Sequence, residues 1–249
     1  MQTAINTELI AFDNWTLRVR PSQSANPRLL LLIHGWTGDE NSMWVFTRGL
    51  SPDYWMMAPR ALHAAESSGF SWRPPRGTIR HGFDKASTSS AQRLNPAAQG
   101  GDFGVPSLES LLPSVEALML LIDQYSASVK LDARQFDLFG FSQGAAMVNL
   151  IGLLYPHRVR KMGVLAGFMP PGVDDLISKR PLVGKNIFVA HGTLDQKVPV
   201  DLARASMGLL EQAGAQITYC EDDVGHKLSA NCLRALEDYL SSPEGAVKD

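Results

Sequence analysis

The clearest pattern in the chain is a series of short apolar runs separated by amphipathic stretches. Continuous runs of this length are typical of parallel strands that are covered on both faces. The runs are RLLLLIH (28–34), YWMMAP (54–59), FDLFGF (136–141), RKMGVLAGF (160–168), NIFVAHG (186–192) and QITYCED (216–222). Helical patterns lie at Leu111–Tyr125, 144–156, 201–214 and 227–240. This alternation predicts an α/β fold with a mostly parallel central sheet and helices on both faces.

Two local features refine this prediction. The stretch ELIAFDNWTLRVR (8–20) alternates apolar and polar residues around Asp13-Asn14. Such a pattern predicts an N-terminal antiparallel hairpin at an edge of the sheet. The helix at Leu111–Tyr125 contains Pro113. Because proline lacks an amide donor, Pro113 is expected in the first turn of that helix.

The region from His63 to Pro106 breaks the alternation. It is rich in Gly, Pro, Ser and Arg and has almost no hydrophobic period. A stretch of this length in a compact domain is typical of a functional lid or of a partly disordered loop. Neither an internal repeat nor an interdomain linker is found. The sequence therefore predicts one domain over residues 1–249, with a lid-like segment at about 63–106.

Composition narrows the function classes. The 249 residues carry 23 basic and 25 acidic side chains, for a formal charge of −2. This balance gives no electrostatic reason to expect nucleic acid or anionic membranes as partners. No apolar run approaches the roughly 20 residues that cross a bilayer, and MQTAINTELIAFDN does not resemble a secretory signal. A processed precursor remains an open alternative.

The chain contains two cysteines, Cys220 and Cys232. Two cysteines in a chain of this length do not form a disulfide scaffold, and these two lack the spacing of metal ligands. We therefore expect reduced cysteines, a cytoplasmic location and no bound metal.

Candidate chemistry begins at Ser142, in the pentapeptide GFSQG (140–144). The Gly-x-Ser-x-Gly pattern is weak alone in a chain with 21 glycines. Here, however, a predicted strand precedes it and a predicted helix follows it, as a nucleophile elbow requires. Gly140 and Gly144 are expected because side chains there would collide with the neighbouring strand and helix. The alternative is a serine that only forms a turn or caps the helix.

A serine nucleophile needs a base and an orienting carboxylate, and in this type of fold they follow in the order Ser, Asp or Glu, His. Asp195 follows the strand at 186–192, and His226 follows the strand at 216–222. Both are predicted at the carboxyl edge of the sheet, where ligands bind in open α/β folds. Other candidates for these roles are Asp201, Asp222, Asp223, His63, His81, His157 and His191. Asp201 is interpreted as a helix cap and His191 as a residue that shapes the Asp195 loop.

Acyl transfer also requires donors for an oxyanion. One is expected to be the backbone amide of Gln143, directly after the nucleophile. The second is expected in the loop HGWTGDENS (34–42), where Gly35 and Gly38 let the backbone turn inward. The amide of Trp36 is our candidate. The alternative is a simple glycine turn.

Five blocks of the chain together resemble the phospholipase/carboxylesterase family of α/β-hydrolases, which includes acyl-protein thioesterases and small bacterial carboxylesterases. They are HGWTGDE, GFSQGAAM, LAGFMPP, HGTLDQKVP and GHKLS, in that order, between about Leu29 and Leu240. The resemblance implies the α/β-hydrolase fold. It also implies a catalytic triad of Ser142, Asp195 and His226. The oxyanion hole would be formed by Trp36 and Gln143, and the wall of the acyl pocket by Phe168 and Met169.

The chain departs from the family where substrate would be covered. Members often have tryptophan followed by phenylalanine after the APR strand, whereas Trp72 is followed by Arg73. The segment up to the next helix is also longer than expected. Trp72 is a candidate substrate-binding residue. The Trp36 indole, beside the oxyanion hole, would narrow the pocket towards short acyl chains.

The leading hypothesis is a cofactor-free serine hydrolase acting on small-molecule esters with small to medium acyl chains, or on thioesters. A second hypothesis is a non-catalytic binding protein on the same fold. A third is recognition of an anionic or peptide-bearing substrate by Arg73, Arg76 and Arg80. The alternative is that this segment is only a solvated, flexible loop. Homodimers are common among relatives, so a homodimer is one alternative for the assembly.

Overall fold

The computed structural model describes residues 6–75 and 104–242. Its strands are β1 Glu8–Phe12, β2 Trp15–Arg20, β3 Arg28–Ile33, β4 Tyr54–Pro59, β5 His63–Ala64, β6 Phe70–Ser71, β7 Phe136–Phe141, β8 Val159–Leu165, β9 Asn186–Gly192 and β10 Gln216–Asp222. Eight of them form one sheet in the order β1-β2-β4-β3-β7-β8-β9-β10. All neighbours from β4 to β10 are parallel, whereas β1 and β2 are antiparallel additions. The predicted mostly parallel sheet is confirmed.

The N-terminal hairpin is also confirmed, at the edge of the sheet. Phe12 of β1 lies opposite Trp15 of β2, so Asp13 and Asn14 form a two-residue turn. Asp13 has a φ of 51°. Left-handed φ values are what the tight turns of hairpins require, and Asp tolerates them better than most residues.

Five α-helices and one 3-10 helix, Trp44–Phe46, accompany the sheet in the described residues. The α-helices are α1 Leu108–Ser128, α2 Gln143–Leu154, α3 Asp174–Ser178, α4 Val200–Gln212 and α5 Ala230–Ser241. The short α3 was not predicted, because its few residues show no helical period. Helix α1 begins before the predicted start, where the Ser107 side chain accepts from the Ser110 amide at 3.3 Å. Pro113 therefore lies in the second turn, and the first-turn expectation is wrong. The carbonyl of exposed Glu109, which loses its helical donor there, can bond to water.

Strand β3 shows how the sheet divides the core. Leu29, Leu31 and Ile33 belong to a hydrophobic cluster that includes side chains of α1, α2 and α4. Leu30 and Leu32 belong to a second cluster that includes side chains of α5. Successive side chains of a strand point to opposite faces, so the two clusters lie on opposite sides of the sheet. Helices on both faces are thus confirmed.

The described part of the predicted lid-like segment is more regular than the sequence suggests. Strands β5 and β6 pair antiparallel, with His63 opposite Ser71. Beyond them, the Arg73 guanidinium donates a hydrogen bond of 3.2 Å to the carbonyl of Gly104. Residues 76–103, and with them the predictions for Arg76, Arg80 and His81, lie outside the described residues. The lid and the single domain stay predictions.

The expectation of reduced cysteines is wrong. Cys220 in β10 and Cys232 in α5 form a disulfide with a sulfur–sulfur distance of 2.11 Å. The pairing arises because α5 packs back against β10, which spacing along the sequence does not reveal. The cysteines therefore no longer support a cytoplasmic location, which stays a prediction. Within 6–75 and 104–242, no helix combines the length and apolar character needed to cross a bilayer.

Candidate active site

Ser142 occupies a sharp turn between β7 and α2. Its backbone has φ 56° and ψ −115°, a conformation that non-glycine residues rarely adopt. The turn is held on one side by a bond of 2.9 Å from the Ser142 amide to the Leu165 carbonyl of β8. Although Ser142 is at the N-cap position of α2, its side chain makes no capping hydrogen bond. Its hydroxyl is thus not used to cap the start of the helix.

Two glycines make this turn sterically feasible. A Cβ on Gly140 would lie 2.3 Å from the Gly144 carbonyl oxygen, and a Cβ on Gly144 would lie 2.1 Å from the Ile33 carbonyl oxygen. Both contacts are with backbone, which cannot rotate away as a flexible side chain can. Helix α2 therefore starts in direct contact with β3 and β7, and the collisions expected from the sequence are confirmed.

Asp195 and His226 meet at the same edge of the sheet. The loop after β9 carries Asp195 and the loop after β10 carries His226, and Nδ1 of His226 lies 2.7 Å from Oδ2 of Asp195. The other carboxylate oxygen, Oδ1, accepts from the amides of Lys197 at 2.8 Å and Val198 at 3.0 Å. Burial alone would raise the pKa of Asp195, but these hydrogen bonds lower it below its usual value. The carboxylate is thus ionised and accepts from Nδ1–H.

A second histidine braces the Asp195 loop. The His191 side chain is completely buried, and its Nε2 lies 2.8 Å from the Val198 carbonyl and 3.4 Å from Oδ2 of Asp195. Burial lowers the pKa of His191, so its imidazole is neutral and donates from Nε2. These contacts agree with the loop-shaping role interpreted from the sequence. Nδ1 of His191 is buried and has no hydrogen-bond partner among the described residues.

His226 also lies close to the serine turn. Its ring contacts that of Phe141, which directly precedes Ser142, with 4.8 Å between ring centroids. The Phe46 ring stacks on that of Phe141, with 5.8 Å between ring centroids. Ser142, Asp195 and His226 therefore follow the carboxyl ends of β7, β9 and β10. The structure gathers them at one edge of the sheet, and their catalytic roles stay predictions.

The loop after β3 is organised by a buried histidine. Nδ1 of His34 donates to the Gly35 carbonyl at 2.7 Å, and Nε2 accepts from the Ala61 amide at 3.0 Å. Burial lowers the pKa of His34 to about 4, so the ring is neutral near pH 7. The residue with a left-handed backbone is Thr37, with φ 67°. Gly38 is needed for close packing instead, because its Cβ would lie 2.9 Å from Nδ1 of His34.

A partly buried ion pair supports the same loop, with the Glu40 carboxylate buried and the Arg60 guanidinium partly exposed. Arg60 donates to both carboxylate oxygens of Glu40, from Nε at 2.7 Å and from Nη2 at 2.9 Å. The hydrogen bonds from Arg60 lower the pKa of Glu40. The Trp44 indole adds a bond of 2.8 Å to the Glu40 carbonyl. Sequence reasoning missed this brace, since the block HGWTGDE, which ends at Glu40, gives no sign that Arg60 pairs with it.

The two predicted oxyanion donors lie on separate elements. Gln143 is the first residue of α2, and amides in the first turn of a helix have no acceptor within it. Trp36 lies in the loop braced by His34 and is half-buried. The oxyanion role of both amides stays a prediction.

The predicted pocket residues are more deeply buried than a ligand-binding role suggests. Trp72 and Phe168 are 0% exposed and Met169 is 4% exposed. Trp72 donates from its indole to the His34 carbonyl at 2.8 Å. In this structure Trp72 and Phe168 therefore pack within the protein and offer almost no surface to a ligand. Substrate binding by these residues stays a prediction.

One group of metal-ligating side chains lies close together in the described residues. Cys220, Asp222 and Cys232 place their sulfur and oxygen atoms within 4.8 Å of one another. The two sulfurs are bonded to each other, and Asp222 accepts a hydrogen bond from the Ser229 hydroxyl. Thiolate ligands are thus not available, and we assign no metal to this group.

The parallel sheet, its antiparallel N-terminal hairpin and the strand–turn–helix around Ser142 together define an α/β-hydrolase fold. Solved structures agree with this assignment. A carboxylesterase from Mesorhizobium loti superposes with a TM-score of 0.71 at 19% identity, covering 96% of this chain and 100% of that one. The Bacillus cereus carboxylesterase superposes with a TM-score of 0.69 at 19% identity, covering 91% and 93%. At these identities the likeness establishes the fold.

Sequence comparison gives the family. The phospholipase/carboxylesterase profile matches residues 109–243, which is more than half of the chain. Carboxylesterase SOBER1 from Arabidopsis thaliana is 28% identical over 204 residues, covering 72% of this chain and 87% of that protein. The chain belongs to the phospholipase/carboxylesterase family.

Proposed function

We propose that this chain is a serine carboxylesterase that forms an acyl-enzyme on Ser142. The observation that carries the proposal is the hydrogen bond of 2.7 Å between His226 and Asp195. With Nδ1–H engaged by the carboxylate, Nε2 is the ring nitrogen left to accept a proton. Family membership and the similarity to a carboxylesterase support the same class of reaction.

In the proposed reaction, Oγ of Ser142 attacks the ester carbonyl carbon while Nε2 of His226 takes the hydroxyl proton. The carbonyl electrons move onto oxygen, and the amides of Gln143 and Trp36 hold the resulting oxyanion. When the tetrahedral intermediate collapses, the bond to the leaving alkoxide breaks and His226 returns the proton to it. Water then attacks the acyl-enzyme by the same steps and releases the carboxylic acid and the free serine.

The proposed substrates are esters with small to medium acyl chains. The half-buried Trp36 side chain supports this choice, because a bulky indole beside a proposed oxyanion donor would narrow the space for the acyl chain. Thioesters follow the same route with a thiolate as the leaving group, so they belong in the same assay.

The test is hydrolysis of p-nitrophenyl esters from acetate to decanoate, with the matching thioesters alongside. Ser142→Ala should lose more than roughly 10³-fold in turnover. Ser178→Ala is the matched control, since Ser178 is an exposed serine on α3. Activity of Ser142→Ala within about tenfold of the wild type would rule out the serine mechanism.

Covalent labelling provides an independent measurement. A fluorophosphonate should modify the wild type on the peptide that contains Ser142, and the Ser142→Ala variant should stay unlabelled. A wild type that neither turns over any of these esters nor accepts the label would favour the alternative of a non-catalytic binding protein.

A further inference from the structure

Three residues, Phe70–Trp72, lie between the loop that carries Trp36 and the start of helix α2 that carries Gln143. On one side, Phe70 pairs with the loop of Trp36. The Thr37 amide donates to the Phe70 carbonyl at 2.9 Å, and the Phe70 amide donates to the Gly38 carbonyl at 3.0 Å. The segment is thus joined by backbone bonds to the residues directly after Trp36.

On the other side, the segment is bound by the side chain of Gln143. Oε1 of Gln143 accepts from the Trp72 amide at 3.0 Å, and Nε2 donates to the Ser71 hydroxyl at 3.3 Å. A backbone amide can only donate, so it determines which end of the carboxamide faces it. All three residues are buried. A polar group left without its partner at such a place is costly, which makes this contact a rigid one.

Trp72 is held at further points. Its indole donates to the His34 carbonyl at 2.8 Å, and its own carbonyl accepts from the Ser114 hydroxyl at 2.6 Å. Its ring also packs on the His34 imidazole, with centroids 5.1 Å apart. Trp72 therefore connects the start of the Trp36 loop, through His34, to the Gln143 side chain.

We propose that the Gln143 side chain is a positioning residue for the oxyanion hole. The side chain binds Phe70–Trp72, and that segment binds the loop of Trp36. The backbone amide of Gln143 is thereby held at a fixed distance from the backbone amide of Trp36. The two donors belong to different elements, and an oxyanion hole works only when both lie within hydrogen-bond reach of one oxygen before the reaction begins. This inference rests on the proposed function, because it concerns the oxyanion of that reaction.

The alternative is that Gln143 only fills and satisfies a polar place in the core. Kinetics separate the two roles. Loss of a purely structural contact lowers stability and leaves the kinetic constants of the folded enzyme unchanged. Loss of positioning weakens an interaction made in the transition state, so it lowers kcat with little change in KM.

The first variant is Gln143→Met, which retains the backbone amide and the side-chain length but removes both side-chain hydrogen bonds. We expect kcat to fall roughly 10- to 100-fold, with KM within about threefold. Affinity for a trifluoromethyl ketone, whose adduct with Ser142 is an oxyanion, should fall in parallel with kcat. Gln135→Met is the matched control, because Gln135 is an exposed glutamine directly before β7. It should leave all three quantities unchanged.

A double-mutant cycle tests whether the segment connects the two sides. Trp72→Phe keeps an aromatic ring and removes the indole donor to His34. Because both changes break the same connection, the double variant Gln143→Met/Trp72→Phe should lose less kcat than the product of the single losses. Losses that multiply would show that the two contacts act independently and would overturn the proposal.

Amide hydrogen exchange measures the contact without relying on turnover. Peptides covering Phe70–Trp72 should exchange faster in Gln143→Met than in the wild type, and at the wild-type rate in Gln135→Met. Unchanged exchange, or a kcat of Gln143→Met within about twofold of the wild type, would overturn the positioning role. Either result leaves the proposed function standing, since that depends on Ser142→Ala. Retained activity in Ser142→Ala would instead remove the proposed function and this role together.

Discussion

The imidazole of His226 donates a hydrogen bond of 2.7 Å to the carboxylate of Asp195, although 31 residues separate them along the chain. The strands that precede the two residues are neighbours, with Gly192 of β9 paired to Asp222 of β10. Parallel pairing brings the carboxyl ends of both strands, and the loops after them, to the same place. The contact is thus a direct product of sheet topology.

This contact gives the first prediction. Asp195→Asn should lower kcat by roughly 10³- to 10⁴-fold with little change in KM, because an amide facing Nδ1 stabilises the wrong tautomer of the imidazole. The measurement is steady-state hydrolysis of the best p-nitrophenyl ester. Asp201→Asn, an exposed residue in the first turn of α4, is the control and should match the wild type. More than about a tenth of wild-type turnover in Asp195→Asn would remove Asp195 from the orienting role.

The start of α2 gives a second prediction. Gly144→Ala should lower the free energy of unfolding by about 3 kcal/mol or more, because its Cβ would lie 2.1 Å from the Ile33 carbonyl oxygen. Gly208→Ala is the matched control, since no atom lies within 4 Å of the Cβ position in the middle of α4. That change should stabilise the protein by up to about 1 kcal/mol. The measurement is urea unfolding of both variants. Equal free energies of unfolding for Gly144→Ala and Gly208→Ala would contradict the close packing of α2 on β3.

The disulfide gives a third prediction, because it closes a loop that contains His226. Replacing both Cys220 and Cys232 by serine should lower the free energy of unfolding by roughly 3 kcal/mol, as expected for a closed loop of this length. We also expect a lower kcat, since the His226 loop loses its covalent closure. A dithiol reductant should reproduce both effects in the wild type and change neither in the double variant. A wild type that is indifferent to the reductant would show that the bond contributes nothing to the loop.

His34 gives a fourth prediction, on the pH dependence of stability. Burial lowers its pKa from the ordinary 6.5 to about 4. Between these values the unfolded chain binds a proton that the folded protein does not, so stability falls as the pH falls from 6.5 towards 4. The loss from this residue should reach on the order of 3 kcal/mol at the acid end. His191, whose pKa is also lowered by burial, acts in the same direction.

The check is urea unfolding at several pH values between neutral and acid. His34→Gln should be less stable at neutral pH and should show a flatter dependence on pH than the wild type. His157→Gln, at an exposed position, should keep the wild-type slope. A slope that is the same in His34→Gln would show that His34 titrates in the folded protein as it does in the unfolded chain.

Much of the sheet could be predicted from the sequence, because its parallel strands are buried on both faces and therefore appear as continuous apolar runs. The run at 136–141 coincides with β7, and that at 186–192 coincides with β9. Ser142 and Asp195 follow two such strands, so their positions could be predicted for the same reason. His226 follows β10, an edge strand in which no residue is fully buried, and its place could be predicted from the alternation of strands and helices. Residue order within a parallel sheet is enough to place loops at one edge.

Contacts between distant segments could not be predicted. The bond between Cys220 and Cys232 depends on the packing of α5 against β10. In the loop after β3, the residue with a left-handed backbone is Thr37, whereas the sequence suggested that Gly35 and Gly38 make the turn. The contact of the Gln143 side chain with Trp72 joins residues 71 positions apart. No periodic pattern reports such contacts, because they are set by the shape of the assembled core.

Strand β3 has a consequence for how the fold is specified. Because both of its faces are lined with leucine, a slip by one residue against β7 would exchange Leu30 with Leu29 or Leu31 and still bury leucine on each side. Burial of leucine alone therefore does not specify the register of β3 against β7. A slip would, however, displace the Ile33 carbonyl that lies against Gly144, together with the His34 ring. The tight contacts of Ile33 and His34 at the candidate site therefore select the correct register of β3. The candidate site thus helps to determine the fold in which it lies.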